Sequence, residues 1–167
     1  MKSEHELPPI EELYNRYGPM VYRRALAILG SDAEAKDAMQ EIFIRVLESS
    51  SDFRGESAPT TWLYRITTNM CLNRLRDSKR RHGLAHAWAE TQVTSGRRLE
   101  ITPMVRQILS KIPPDYAAAG IYYYLDGMTH EEIAKILKVS RRTAGNWVDE
   151  FQTQFKKEWE ITHDKNA

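Results

Sequence analysis

Apolar residues recur at three- and four-residue steps along almost the whole chain, and no stretch sustains the two-residue alternation of a half-buried strand. A chain with that single period can bury its side chains only by packing helix on helix, so the expected fold is all-α. Ile10, Leu13, Tyr14, Tyr17, Val21, Ala25 and Ile28 form the first stripe. Gly18-Pro19 interrupts it, and a kink or break is expected there because proline lacks an amide donor. Ser31 and Glu34 have capping-box spacing and open a second helix, with Ala35, Met39, Ile42, Phe43 and Val46 as its buried stripe. Residues 52–61 carry Gly55 and Pro59 and read as a loop, after which a third helix runs from about Thr61 to Arg81.

The period fades between His82 and Glu100, where Gly83, Thr94, Ser95 and Gly96 mark a flexible linker with room for a short helix near Leu84–Glu90. It returns with Val105, Ile108, Leu109 and Ile112, and stops at Pro113-Pro114. Further helices are expected over Tyr116–Leu125, Glu131–Leu137 and Arg141–Trp159. The reading is two small helical domains, 1–81 and 101–167, joined by the linker 82–100.

Several function classes fall away on composition. The best apolar run, Ala117 to Leu125, contains Gly120 and three tyrosines and is too short for a membrane span. The acidic, proline-ending start Met1–Pro9 does not resemble a signal peptide. A single cysteine, Cys71, favours a reducing cytoplasm and reads as a small buried residue on the third helix. No Gly-rich phosphate loop, nucleophile elbow or carboxylate pair is present, so no enzyme and no cofactor is expected. His82 and His86 have i,i+4 spacing but no convincing third ligand, so no metal is expected either. The tyrosines Tyr122–Tyr124 read as core and interdomain packing. The balance of 24 basic against 23 acidic residues argues against a nucleic-acid partner only as an average.

Locally the balance breaks. With Leu63 set at 0° on a helical wheel, Ile66 and Met70 lie within about 60° of it and form the expected buried side. Trp62, Arg65, Asn69, Asn73, Arg76 and Arg80 all fall between roughly 200° and 280°. Over Arg74–Arg81, five cations face Asp77 alone, a local charge of +4. Guanidinium groups neutralise phosphates, amides can address base edges, and an indole can stack on an unpaired base. Tyr64, near 100°, reads as packing.

Near the C-terminus, Thr129 and Glu132 have capping-box spacing before Ile133, Ala134 and Leu137. Lys138-Val139-Ser140 is a tight turn, Ser140 a fitting N-cap, and Val139 a plug between the helices. The next helix packs through Ala144, Trp147, Val148, Phe151 and Phe155 and presents Arg141, Arg142, Asn146 and Asp149 outward. This is the pattern of a helix-turn-helix.

These pieces, in this order, resemble an extracytoplasmic-function (group IV) sigma factor of the bacterial sigma-seventy family. The resemblance rests on Asp32–Leu47, on Phe53-Arg-Gly-Glu followed by Trp62–Asn69, on Ile112-Pro-Pro114 and on Gly127–Ala134. It implies a promoter-specificity subunit of RNA polymerase with a region-2 and a region-4 domain. It assigns minus-ten recognition and strand capture to Phe53, Trp62, Arg65, Asn69, Asn73, Arg76 and Arg80, with the loop 54–60. The polymerase β′ clamp coiled coil would be met by Asp37, Gln40, Glu41, Ile44 and Arg45, and the β flap by the second domain. Minus-thirty-five recognition would rest on Arg141, Arg142, Thr143 and Asn146. An anti-sigma factor is a further implied partner.

The second domain departs from the family pattern. Asp115, Ala117, Tyr123, Trp147 and Glu150 stand where basic residues are usual, and Ser140–Glu160 is net neutral. Lys138 replaces the usual glycine of the turn and requires a left-handed backbone costing on the order of 1 kcal/mol. Gly145 inside the helix costs about as much, near 1 kcal/mol, unless it admits a close neighbour. Two alternatives therefore stand beside the initiator: a sigma-like regulator whose second domain binds protein rather than DNA, and a simple helix-turn-helix repressor.

Overall fold

The computed structural model describes residues 7–53, 55, 58–82 and 101–164, and among them every regular element is helical. In chain order these are α1 (Ile10–Leu29), α2 (Asp32–Glu48), a short 3-10 turn (Ser50–Asp52), α3 (Pro59–His82), α4 (Pro103–Leu109), α5 (Pro114–Gly120), a π-helical turn (Ile121–Leu125), α6 (His130–Leu137) and α7 (Arg141–Asp164). The expected loop 52–61 is shorter, because α3 already begins at Pro59, where proline's fixed φ suits a first turn. Contacts divide the chain into two compact units, with the division between Cys71 and Leu72, inside α3. The linker, with the short helix expected at 84–90 and the pair His82 and His86, lies outside the described residues or side chains.

In the first unit, α1 and α2 pack along each other through Leu13, Val21, Ala25 and Ile28 on one side and Ala35, Ala38, Ile42, Phe43 and Val46 on the other. The expected break at Gly18-Pro19 does not occur: α1 runs through it. Pro19 is exposed, and so is Asn15, whose carbonyl loses its helical donor, so water can replace the missing bond. Gly18 is buried, with the Met39 sulfur 4.0 Å from where a Cβ would sit. A left-handed Gly30 (φ 74°) ends α1 and donates to the Leu26 carbonyl, and Ser31 caps α2 by accepting from the Glu34 amide. Tyr14, read as part of the buried stripe, is instead exposed and meets Phe43 edge-on at 4.9 Å.

The second unit is built on α7, against which α4, α5 and α6 pack. Its core holds Ile108, Ile112, Ala117, Ala118, Tyr122, Ile133, Val148 and Phe151. A half-buried ion pair, Lys111 Nζ to Glu158 Oε2 at 2.7 Å, ties the segment before α5 to the far half of α7. After Gly120 the helix widens: the Asp126 amide donates five residues back to the Ile121 carbonyl at 3.1 Å. Along this turn Tyr122 is buried in the core while Tyr123 and Tyr124 are exposed, so the core part of the expectation holds for Tyr122.

Two glycines in this unit answer to different constraints. A Cβ on Gly120 would lie 2.4 Å from the ring of Phe151, so α5 and α7 approach as closely as they do only because that atom is missing. A Cβ on Gly145 would meet His130 Nδ1 at 3.5 Å, an ordinary contact. Gly120→Ala is therefore expected to destabilise the chain by about 1–3 kcal/mol through overpacking. Gly145→Ala is expected to stabilise it by about 0.5–1 kcal/mol through helix propensity. Denaturant midpoints of the two variants measure the contrast.

Candidate nucleic-acid interface

The residues singled out on α3 do share one accessible face. Leu63, Thr67, Thr68, Met70, Cys71, Leu72 and Leu75 are buried, and they occupy the wheel from about 340° round to 180°. Ile66, expected in the core with Leu63 and Met70, is only half-buried, because the buried arc is centred nearer Cys71 than Leu63. The complementary arc carries Trp62, Arg65, Asn69 and Arg76, all half-buried, and Asn73, exposed. From Arg65 to Arg76 this face is about 16 Å long at 1.5 Å per residue. Phe53, coming from the 3-10 turn, meets Trp62 edge to face with ring centroids 5.3 Å apart, so two of the proposed aromatic contacts form one pair at the start of the face. The side chain of Arg80, and residues 54, 56 and 57 of the preceding loop, lie outside the described set.

Tyr64 packs, as its wheel position suggested, but on an unexpected neighbour. Arg24 of α1, 5% exposed, places its guanidinium carbon 4.3 Å from the Tyr64 ring centroid. Its Nε donates to Thr68 Oγ1 at 3.2 Å and its Nη1 to the Tyr64 hydroxyl at 3.3 Å.

On α2, Asp37, Gln40, Glu41, Ile44 and Arg45 are all exposed and follow each other at three- and four-residue steps. Ile44 is 58% exposed and Leu47, one turn on, 57%. Leu47 is not among the residues the sequence assigns to this face, although it stands three residues from Ile44. At the start of this helix Tyr22 donates its hydroxyl to Asp32, and Lys36 Nζ reaches the other carboxylate oxygen at 2.7 Å. The hydrogen bonds from Lys36 and then Tyr22 hold the Asp32 carboxyl below the usual aspartate range.

The helix-turn-helix forms with the caps its sequence encodes. Thr129 and Glu132 make a reciprocal capping box, and the Thr143 amide donates to Ser140 Oγ at 3.0 Å. Lys138 adopts the left-handed conformation the turn demands, at φ 55° and ψ 46°. On α7, Arg142 and Asn146 are exposed. Arg141 is exposed too and stands 3.9 Å from Glu131, while the Thr143 hydroxyl lies 2.8 Å from that of Ser140, within the cap. Trp147 and Phe155, expected to pack, are half-buried, and Trp147 meets Tyr116 edge-on at 6.2 Å.

Sequence reasoning did not find an open apolar groove of about 570 Å³ in the second unit, lined among others by Ile101, Leu109, Tyr124, Phe151, Phe155 and Trp159. The four-residue spacing of Phe151, Phe155 and Trp159 was legible as a stripe, but not that its outer end stays uncovered.

Comparison with known proteins agrees with this arrangement. Residues 13–81 match the family model of Sigma-70 region 2, and residues 103–148 that of Sigma-70, region 4. The chain is 29% identical over 143 residues to the ECF RNA polymerase sigma factor SigW of Bacillus subtilis, spanning 77% of this chain and 76% of SigW. It is 29% identical over 163 residues to the ECF RNA polymerase sigma factor SigE of Mycolicibacterium smegmatis, spanning 90% of this chain and 61% of that relative. Two solved structures share its fold at lower identity. One is CnrH in complex with the cytosolic domain of CnrY, with TM-score 0.56, 18% identity and coverage of 91% of this chain and 88% of that one. The other is the sigma factor RpoE in complex with the anti-sigma factor NepR from Bartonella quintana, with TM-score 0.57, 17% identity and coverage of 90% and 96%.

A helical region-2 unit followed by a region-4 helix-turn-helix defines a protein of the sigma-70 family, and the chain belongs to it. Within that family it is an extracytoplasmic-function (ECF) sigma factor, a subunit that directs RNA polymerase to promoters. The alternative of a sigma-like regulator whose second domain binds a protein partner rather than the minus-thirty-five element is not favoured. No helix among the described residues is long and apolar enough to cross a membrane.

The capping box carries a pH dependence. The Thr129 amide and then its hydroxyl hold the Glu132 carboxyl below the ordinary glutamate range. A carboxyl depressed in the folded state adds stability that is fully present above its unfolded value and is lost as pH falls through its folded value. Glu132→Gln should therefore flatten the stability profile on the acid side of the ordinary glutamate range, measured by denaturation from neutral pH to about pH 3. Lys138→Gly relieves the left-handed lysine and is expected to stabilise the chain by about 1 kcal/mol in the same assay.

Proposed function

We propose that residues 1–81 hold core RNA polymerase through α2 and capture promoter DNA through α3, while residues 101–167 add a second anchor on polymerase and upstream DNA. The chemistry belongs to the polymerase, in the cytoplasm where polymerase and promoter meet, and this chain supplies recognition and strand capture. The observation that carries the reading is the α3 face: one accessible arc joining the Phe53–Trp62 pair, two amides and the guanidinium groups of Arg65 and Arg76. Opening a duplex gives up a few kcal/mol of stacking per extruded base, and an aromatic pair flanked by cations offers a replacement surface and charge neutralisation together. Arg80, one turn beyond Arg76 on the same helical arc, extends the cationic track.

The apolar patch of Ile44 and Leu47 beside Asp37, Gln40, Glu41 and Arg45 suits a clamp coiled coil that presents both aliphatic and charged side chains. The groove between α4, the π-helical turn and α7 suits an apolar helix such as the tip of the β flap. Both surfaces are also open to an anti-sigma factor, and the B. quintana relative is solved with one. Upstream DNA contact rests on Arg142 and Asn146, with Arg141 and Thr143 contributing less freely because Glu131 and the Ser140 cap stand beside them.

In vitro transcription with purified core polymerase on genomic fragments tests the reading, with start sites mapped. Absence of any start at low salt despite tight polymerase binding would sink it. Trp62→Ala and Arg76→Ala are expected to impair open-complex formation and leave polymerase affinity nearly intact, with Arg76→Ala lowering the salt slope of DNA binding by about one. Ile44→Asp with Leu47→Asp is expected to do the reverse, losing polymerase first.

A further inference from the structure

α3 is amphipathic in an unusual sense, because the centre of its buried arc is partly polar. Thr67 and Thr68 are buried there, and each returns its hydroxyl to the helix itself: Thr67 Oγ1 to the Leu63 carbonyl at 2.7 Å and Thr68 Oγ1 to the Tyr64 carbonyl at 2.8 Å. An apolar arc fixes a helix's rotation only through packing, whereas a hydrogen bond adds a preferred direction. Here the rotation is set by a directional group. The Arg24 guanidinium, buried in α1, reaches α3 at Tyr64 and Thr68, one turn apart, through two hydrogen bonds and a ring face.

Tyr64 and Thr68 immediately precede Arg65 and Asn69 in sequence, each about 100° away around the helix. Fixing the azimuth of the first pair therefore fixes the direction in which the second pair projects. This also accounts for the buried arc being centred away from Leu63, toward the side where Arg24 lies.

We infer that Arg24 is a positioning residue for strand capture: its guanidinium, held against Tyr64 and Thr68, sets the rotation of α3 that aims the Trp62–Arg76 face at DNA. This rests on the proposed function of that face. A planar fork with donors in fixed directions is suited to the task, and a lysine, with one mobile ammonium, keeps the charge and the ring contact but loses the fork.

The test uses the full chain with core polymerase on a promoter fragment that the wild-type chain opens. Arg24→Lys, Tyr64→Phe and Thr68→Val are compared for polymerase affinity, thermal midpoint, closed-complex affinity and the rate of isomerisation to the open complex, followed by permanganate reactivity of unpaired thymines. Each variant is expected to slow isomerisation about tenfold while polymerase affinity stays within about twofold, since only the DNA-facing geometry changes. Tyr64→Phe removes one hydroxyl and keeps the ring, so it decides the matter if Arg24→Lys folds poorly. Wild-type isomerisation rates in Tyr64→Phe and Thr68→Val would overturn the inference. So would parallel falls in thermal midpoint, polymerase affinity and isomerisation, which indicate general loosening of the unit. Failure of the wild-type chain to open any fragment would remove the underlying functional reading as well, an outcome distinct from both.

Discussion

One helix, Pro59–His82, has to serve as core and as contact surface at once, and the division of its circumference governs the first unit. Roughly half of the wheel is buried and half is left to a partner. Widening the buried half past Leu72 would swallow Arg65, and narrowing it would expose Leu72 or Met70 at its two edges. Such a helix needs a device that fixes rotation as well as depth, and the buried Arg24 guanidinium, bonded across from α1 to Thr68 and Tyr64, is more directional than aliphatic packing.

The same division explains the charge arithmetic. A chain with 24 basic and 23 acidic residues looks indifferent to DNA only when its charges are summed. Asp37 and Glu41 sit on α2, and the cations cluster toward the end of α3. Fields from exposed charges decay over a Debye length of about 8–10 Å in physiological salt, so a strand lying on the α3 face responds to the local cluster far more than to the total. On the proposed function, near-neutrality would limit nonspecific attraction to duplex DNA and leave capture to the α3 arc.

Much of the architecture was legible because helix ends are local chemistry. The Ser31, Thr129 and Ser140 caps, the left-handed Lys138 and the alternation of stripes all follow from residues within four positions of each other. What escaped depended on three-dimensional surroundings. Pro19 reads as a breaker, yet its orphaned carbonyl faces solvent, and only the placement of α1 decides that. Arg24 carries the same letter as its solvated neighbours, and nothing in its own stripe announces a buried guanidinium with partners forty and forty-four residues away. The π-helical turn departs from a uniform 100° step, so a wheel drawn from sequence does not hold over Ile121–Leu125. Of the candidate site, the α3 face was legible as a pattern, whereas the Phe53–Trp62 pairing, the Ile44–Leu47 patch and the groove needed coordinates.

The second unit then takes on a supporting role for physical reasons. The N-terminal turn of a recognition helix is where side chains reach base edges first. In α7 the Thr143 hydroxyl of that turn lies within the Ser140 cap, while Arg141 is exposed with Glu131 3.9 Å away. Arg142 and Asn146 remain to address DNA, on a helix whose charges sum to zero over Ser140–Glu160. With each phosphate contact contributing roughly one unit to the salt slope, so few cations give a weak and shallow electrostatic grip. Farther along α7, the apolar groove offers a larger apolar surface to a partner. An open surface joining Tyr124, Phe155 and Trp159 carries far more desolvation energy than two exposed polar side chains can. On the proposed function, a unit arranged in this way would add a protein anchor while Arg142 and Asn146 tune its register on DNA.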